Sequence, residues 1–235
     1  MVDLNRNTRV AGQESAAVDQ GLRSYMQKVY NYMAGGLGIT GVVAMLTASS
    51  PAMLNAIYGT PLQWVVMLAP LAFVLFLSFK VTSMSTQAAQ ATFWAFAAAM
   101  GLSISYIFLA YTGASIARIF FITASVFGAM SIYGYTTKKD LTGMGSFLIM
   151  GLIGVILASI VNLFMQSTGL QFAVSVLSVI IFTGLTAYDT QKIKQLYFVV
   201  GEEHLGKAAI MGALSLYLDF INLFIQLLHL FGNRR

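Results

Sequence analysis

Long apolar stretches separated by short polar breaks dominate the chain. A bilayer core about 30 Å thick requires about 20 mostly apolar helical residues to cross it. Seven such stretches occur, and they run from Asn31 to Ser49, Leu62 to Phe79, Phe93 to Tyr111, Ser115 to Tyr135, Gly145 to Met165, Leu170 to Asp189 and Ala208 to Phe231. The pattern predicts an all-α integral membrane protein with seven transmembrane helices in one bundle.

The segment before the first stretch is polar and charged, and it lacks the basic-then-apolar pattern of a signal peptide. We expect residues 1–27 to form a disordered cytoplasmic tail and residues 28–235 to form the membrane domain. A docking arm is the alternative for the tail.

The lysines and arginines fall unevenly on the two sides of the predicted bundle. One side takes Arg6, Arg9, Arg23, Lys28, Lys80, Lys138, Lys139, Lys192, Lys194 and Lys207, and the other keeps Arg118, Arg234 and Arg235. Because cytoplasmic loops carry the positive excess, the N-terminus is predicted to be cytoplasmic. Seven spans place the C-terminus on the far side, whereas a six-span arrangement with a re-entrant last segment would place both ends inside.

The composition removes most other classes of protein. The chain is 58% hydrophobic and 9% charged, which argues against an ordinary soluble domain. Zero cysteines and two histidines leave little material for a disulfide, a zinc site or a catalytic triad. The net charge of +5 is scattered rather than clustered, so no nucleic-acid partner is expected.

Small residues recur at four-residue spacing in three of the predicted helices. The pairs are Ala34 and Gly38, Ala124 and Gly128, and Gly154 and Ala158. Such pairs permit close helix contact, and we expect them to support packing within the bundle rather than between two copies.

One acidic residue lies in the middle of a span. Asp219 belongs to the last predicted helix, where an aspartate costs about 2.5–3.5 kcal/mol on insertion scales, so a partner or a polar cavity is expected. At about 100° per residue, one arc of that helix holds the polar residues Ser215, Asp219, Asn222, Gln226 and His229.

The sixth predicted helix carries a matching polar arc, which holds Ser175, Ser178, Thr186 and Asp189. Position 204 is midway between Asp189 and Asp219 and falls inside the polar turn 201–206. If the last two helices form an antiparallel hairpin about this turn, the two carboxyl groups lie at the same level and can meet.

Two carboxylates in a low dielectric cannot both ionise cheaply, so such a pair is expected to share one proton and to sense pH. Deprotonation would add repulsion and could separate the two helices. The oxygens also suit calcium, although two carboxylates supply fewer ligands than the six to eight it prefers, which favours weak transit over storage. The alternative is that Asp189 pairs with Lys192 one turn on, while Asp219 is neutral and hydrogen-bonded to Asn222 or to a neighbouring helix.

Two other seven-span or aspartate-based classes fit poorly. A retinal protein needs a lysine inside its last helix, but Lys207 lies at the very start. An intramembrane aspartyl protease carries Gly-x-Gly before its second acid, whereas Leu216-Tyr217-Leu218 precedes Asp219 here. We therefore expect neither an enzyme nor a bound cofactor.

The residues Gly184-Leu185-Thr186-Ala187-Tyr188-Asp189-Thr190-Gln191-Lys192-Ile193 resemble the signature of the Bax inhibitor-1 family, also called the transmembrane Bax-inhibitor-motif family. The run from Leu216 to Phe224 is similar to the last helix of that family. Weaker similarities bring the resemblance to roughly position 22 through the end, and they lie at Lys28-Val29-Tyr30, Gly101-Leu102-Ser103, Thr123-Ala124, and Tyr133 to Leu141.

The resemblance implies a bacterial member located in the inner (plasma) membrane. Its seven-helix bundle would have the last helix at the centre, wrapped by the other six. It also implies a pH-sensitive calcium leak controlled by two aspartates, which correspond to Asp189 and Asp219. Some bacterial members have a basic residue near the end of helix two that latches one aspartate. The candidate here is Lys80, which lacks the bidentate fork of arginine.

These considerations lead to two hypotheses. In the first, calcium or another cation leaks across the bilayer, the aspartate pair is the pH-sensing gate and a weak calcium transit site, and the route is lined by Thr186, Ser215, Asn222 and Gln226. In the second, the protein transports nothing and regulates a membrane-bound protease or another quality-control partner, and the aspartates fix helix packing.

Overall fold

The computed structural model describes residues 2–235, with side chains from Val18 onward. The helices are α1 (Val2–Ser49), α2 (Pro51–Tyr58), α3 (Leu62–Lys80), α4 (Thr86–Ile104), α5 (Ile107–Ala110), α6 (Gly113–Thr136), α7 (Thr142–Met165), α8 (Thr168–Val199) and α9 (Leu205–Phe231), with a 3-10 turn at Glu202–His204 before α9.

Seven helical segments are long and apolar enough to cross a membrane. They are Val18–Ser49, Leu62–Lys80, Thr86–Ala110, Gly113–Thr136, Thr142–Met165, Thr168–Val199 and Glu202–Phe231. The predicted all-α bundle with seven spans is confirmed, although most spans extend beyond the predicted apolar limits by a turn or more.

Hydroxyl side chains set the starts of four helices. In each case the hydroxyl oxygen accepts a hydrogen bond from the backbone N–H three residues later, which satisfies a donor that the first turn leaves free. These N-cap residues are Ser50, Ser85, Thr112 and Ser167, at the starts of α2, α4, α6 and α8.

The start of the membrane domain differs from the predicted boundary at position 28. Residues 18–27 belong to α1 and bury Leu22, Tyr25 and Met26. The Tyr25 ring packs on Tyr197 near the end of α8, with ring centroids 5.6 Å apart. This part of the predicted tail therefore packs against the bundle, because its apolar side chains follow helical spacing. The rest of the predicted tail lies outside the residues whose side chains are described.

Helix α9 occupies the centre of the bundle. In the last span, 72% of an 18-residue apolar stretch is buried inside the protein, whereas the corresponding share in the span formed by α7 is 6%. Helices α1, α4, α6 and α8 pack on α9, while α3 packs on α4 and α7 packs on α8. The predicted central position of the last helix is confirmed, and the helices around it form an inner layer of four and an outer layer that contains α3 and α7.

The two ends of the bundle differ in charge and in contacts. At one end, Lys207 Nζ donates to the Thr82 carbonyl over 2.9 Å, and Lys194 Nζ donates to the Tyr135 carbonyl over 2.8 Å. At the other end, the N–H of Thr112 donates to the Asn233 carbonyl over 3.1 Å. The last residues therefore lie beside the start of α6, away from the lysine-rich end. This position and the unbroken α9 favour seven spans over the six-span alternative.

The glycines of the small-residue pairs do not lie in close contacts between helices. A Cβ added at Gly38, Gly128 or Gly154 would meet no atom of the described structure within 4 Å. Close approaches occur at other glycines. Gly134 of α6 lies against the Ala187 carbonyl of α8, where a Cβ would overlap the backbone. Four-residue spacing was therefore a poor guide, because it does not indicate which helix face is buried.

Candidate functional site: an aspartate pair between the last two helices

The two aspartates singled out by the sequence meet between α8 and α9. Asp189 is half-buried on α8, and Asp219 is 4% exposed on α9. Their carboxyl groups lie within reach of a side-chain hydrogen bond to each other. The hairpin geometry explains this, since the 3-10 turn Glu202–His204 lies midway between the two positions and α8 continues past Asp189 to Val199.

One carboxylate oxygen of the pair has no hydrogen-bond donor among the N–H and O–H groups of the described residues. Asp219 Oδ2 is enclosed, and no N–H or O–H group of the described residues reaches it. Because ionised carboxylates only accept hydrogen bonds, the Asp189 carboxyl can serve Asp219 only if one of the two is protonated. A pair that shares one proton satisfies both buried groups, and a doubly ionised pair does not.

The alternative partners considered for these acids are engaged elsewhere. Asn222 Nδ2 donates to the Leu218 carbonyl of its own helix over 2.8 Å. The Lys192 side chain is exposed, and its Nζ lies 5.9 Å from the centre of the Tyr188 ring. The charge of Lys192 acts on Asp189, yet among the described residues Asp189 forms no salt bridge within 4.0 Å. Neither alternative partner is therefore bonded to an aspartate in the described part of the chain.

The four predicted route residues lie on the same two helices as the pair, at most about two turns from an aspartate, and they differ in their bonding. The Thr186 hydroxyl donates to the Phe182 carbonyl over 2.8 Å, which satisfies it within α8. Ser215 and Asn222 are half-buried on α9. Gln226 Oε1 is buried and, like Asp219 Oδ2, receives no donor from the described residues. Two oxygens without donors thus share one face of α9, about two turns apart.

The predicted latch residue is not brought to the pair. Lys80 is exposed in the last turn of α3, in the outer layer of the bundle. Within residues 18–235 it forms no salt bridge. The structure does not join this lysine to either aspartate.

Gln191 is a structural residue that the sequence analysis did not single out. Its Nε2 donates to the Lys139 carbonyl over 2.8 Å, and its Oε1 accepts from the Leu141 N–H over 2.9 Å. One amide therefore fastens the loop between α6 and α7 to α8, two residues after Asp189. Gln191 lies among polar and charged residues, so its position in the sequence carries no signal for these contacts.

A second contact on α9 also escaped the sequence analysis. The Thr40 hydroxyl donates to the Ala97 carbonyl over 2.8 Å and lies 2.6 Å from the Tyr217 hydroxyl. Because the threonine proton points to the carbonyl, Tyr217 donates to Thr40. The Tyr217 ring is fully buried and packs edge-on against Phe96 of α4, with centroids 5.1 Å apart.

Comparison with known proteins supports the family resemblance. The family described as inhibitor of apoptosis-promoting Bax1 matches residues 22–235. The chain is 50% identical to an uncharacterized protein of Rickettsia prowazekii, and the match covers all of both chains. It is 47% identical to the inner membrane protein YbhL of Escherichia coli, over 92% of this chain and 94% of that one. It is 36% identical to an uncharacterized membrane protein of Streptococcus pyogenes, over 91% of this chain and 94% of that one. With seven membrane-spanning helices and these matches along nearly its whole length, the chain is a membrane protein that belongs to the Bax inhibitor-1 family.

Proposed function

We propose that the protein is a pH-sensitive leak for calcium or a similar cation, gated by Asp189 and Asp219. The observation that carries this proposal is the buried oxygen of Asp219 that has no donor except a protonated Asp189. A structural ion pair would place a cation beside the acid, and none lies within salt-bridge distance of either aspartate in the described part of the chain. A buried acid of this kind is suited to changing its protonation rather than to holding two helices together permanently.

The gate works through the charge of the pair. With one shared proton, a hydrogen bond holds α8 against α9. Loss of that proton leaves two negative charges in a site of low dielectric, where their repulsion is much stronger than in water. The opposite side of α9 is fixed to α1 by the bond between Tyr217 and Thr40. The separation therefore occurs at the interface between α8 and α9.

The opened interface would offer oxygen ligands to a cation. The two carboxylates come first, and Ser215, Asn222 and Gln226 continue along the same side of α9. Calcium prefers six to eight oxygens, and the two carboxylates supply at most four, so the ion would pass without being held tightly. No group of three or more acidic, histidine or cysteine side chains exists among the searched residues. Weak transit is the mode that fits this donor set.

The sign of the pH response follows from the groups around the pair. The charge of Lys192 acts on Asp189 and favours its ionised form, but this lysine is exposed and outside salt-bridge distance, so it offsets only part of the second charge. Rising pH removes the shared proton and increases repulsion. We therefore expect the leak to increase as the pH rises.

The orientation forms part of the proposal. Lys194, Lys207 and the loop that carries Lys139 lie at the same end of the bundle, as do the ends of α3 and α8. By the positive-inside rule this end faces the cytoplasm of a bacterial inner membrane. Asp219 then lies near the middle of the membrane and Asp189 lies on the cytoplasmic side of the middle of α8, so we expect the pair to respond to cytoplasmic pH.

The test is calcium entry into liposomes that contain the purified protein, measured from about pH 5.5 to pH 8. Wild-type protein should show a flux above that of empty vesicles, increasing severalfold across the range. Asp219→Asn and Asp189→Asn should each remove the pH dependence, because an amide supplies a permanent donor to the remaining acid. Asp140→Asn is the matched control, since this acid is exposed in a loop and should leave the profile unchanged.

Two results would overturn the proposal. A flux that keeps its pH dependence in both aspartate variants would exclude the pair as the gate. No flux above empty vesicles at any pH, from protein shown to be folded, would exclude the leak itself. The second result would favour a regulator that transports nothing, and binding to a membrane-bound protease would then be measured in the wild type and the aspartate variants.

A further inference from the structure

A cleft between α1 and α6 opens the bundle toward the bilayer. Its volume is about 300 Å³, and its floor is formed by α9. Helices α1 and α6 each pack on α9, so the cleft is the gap left where they diverge. The cleft is lined by Leu37, Thr40, Gly41, Ala44, Ile104, Ile107, Phe108, Gly113, Ile116, Ala117, Phe120, Phe121, Phe220, Ile221 and Phe224.

The cleft is continuous with the surface that faces lipid. A neighbouring hollow of about 460 Å³ shares Leu37, Gly41 and Phe120 with it and extends along α1. The rim carries exposed apolar side chains, including Phe121 at 69% and Val42 at 53% exposure. The opening therefore lies within the apolar belt of the membrane-spanning helices.

Glycines widen the cleft without serving helix packing. A Cβ added at Gly38, Gly41 or Gly113 would meet no described atom within 4 Å. Glycines inside membrane helices ordinarily let two backbones approach each other closely. In this cleft they leave space instead, and that space runs along both walls.

The chemistry of the lining excludes a polar occupant. Thr40 is the one lining residue with a polar side chain, and its hydroxyl is already bonded to the Ala97 carbonyl and to Tyr217. A buried water needs two to four polar partners, and this cleft supplies none that is free. An apolar cavity of about 150 Å³ is already large enough to bind benzene. A void of twice that size would leave its aromatic walls without contacts.

We propose that this cleft is a binding site for one hydrocarbon chain of a bilayer phospholipid. The chain enters between α1 and α6 and contacts Phe220, Ile221 and Phe224 on the central helix. This site is separate from the aspartate pair, which faces α8, and its occupation does not depend on the proposed leak. A lipid chain bound here would contact α9 at Phe220, the residue that follows Asp219.

The test uses phospholipids that carry a photoreactive diazirine in one acyl chain. The full-length protein is reconstituted in vesicles of phosphatidylethanolamine and phosphatidylglycerol, irradiated, digested and analysed by mass spectrometry. Adducts on Leu37, Phe120 and Phe224 should exceed adducts on the exposed α7 residues Leu157 and Ile160 by severalfold. The α7 residues measure the labelling that any lipid-facing side chain receives.

A filled cleft provides the matched comparison. Gly41→Leu places a side chain in the space that both hollows share, and it should reduce cleft adducts severalfold. Gly154→Leu is the control, because this glycine faces lipid on α7 and also meets no atom within 4 Å. It should leave the cleft adducts unchanged.

Three outcomes would overturn the proposal. Equal labelling of cleft and α7 residues would show ordinary lipid contact only. Cleft residues that stay unlabelled in protein that purifies as a dimer would show that a second copy occupies the cleft. Cleft adducts that persist in folded Gly41→Leu protein would place the chain elsewhere. If Gly41→Leu does not fold, the wild-type ratio of cleft to α7 adducts decides the question by itself.

Discussion

Tyr217 and Asp219 lie only two residues apart on the central helix, but they face different helices and differ in how their polar atoms are hydrogen-bonded. Tyr217 faces α1 and α4, where its hydroxyl donates to Thr40 and its ring packs among phenylalanines. Asp219 faces α8, where one of its oxygens has no donor other than a protonated acid. Both residues are buried, yet only the first has bonding that is independent of pH.

One side of α9 is therefore held by a permanent contact, and the other side by a contact that depends on pH. A satisfied polar group inside an apolar core stabilises one arrangement, whereas a group whose bonding depends on a proton stabilises different arrangements at different pH. The Tyr217 side therefore anchors α9 in the bundle. The Asp219 side is the one that can change, and its change is transmitted to α8.

The largest expected effect comes from removing the anchor. Tyr217→Ala should destabilise the protein by about 3–5 kcal/mol, because it deletes a fully buried aromatic ring and leaves a cavity. Tyr217→Phe keeps the ring and should cost only about 1 kcal/mol, since Thr40 still donates to Ala97. Thermal unfolding of both variants in detergent measures the difference. Equal stability of the two variants would show that the ring does not anchor α9.

A smaller effect is expected on the switching side. Wild-type protein should lose stability as the pH rises from about 5.5 to 8, because the pair gives up its shared proton and the two charges repel. The loss should be on the order of 1–3 kcal/mol, well below the limit for a fully dry site. Asp219→Asn should be nearly independent of pH over this range, and Asp189→Asn should match it. A wild-type protein whose stability does not change over this range would contradict the shared proton.

The smallest effect is expected at an exposed acid. Hydrogen bonds from the Thr142 hydroxyl and from its N–H, the latter over 2.9 Å, lower the pKa of Asp140. A lowered pKa means that the folded state favours the charged form, so this contribution is present at neutral pH and is lost as the pH falls below the ordinary aspartate range. Asp140→Asn should change stability little at neutral pH, because the site is exposed, and should flatten only the acid limb of unfolding. A large change at neutral pH would show that the loop matters more than its exposure indicates.

The sequence predicted the parts of the molecule that depend on local periodicity. The spans, the hairpin around position 204 and the meeting of Asp189 with Asp219 all follow from helical rise and from a symmetric turn. The contact between Thr40 and Tyr217 joins residues 177 positions apart, and no periodic signal connects them. The contacts of Gln191 likewise require knowing that the loop after α6 returns to α8.

The spacing of small residues was the least reliable predictor of which helix faces pack closely. Gly38 shares its spacing with well-known packing motifs but lines the lipid-facing hollow, whereas Gly134, outside the predicted pairs, makes the close approach to α8. Which face of a helix is buried depends on the other helices, and spacing along one helix does not contain that information. The same limitation explains why Lys80 has the expected position in the sequence but does not reach the aspartates.

The central position of α9 also determines how the protein must be made. Ribosomes deliver the chain from the N-terminus, so the helix that fills the core is the last to enter the membrane. Until then, the faces of α1, α4, α6 and α8 that pack on α9 in the finished bundle have no partner helix. A nascent chain that ends before residue 205 would have six spans and would lack the most buried one. The central packing is therefore completed only after the last helix has entered the membrane.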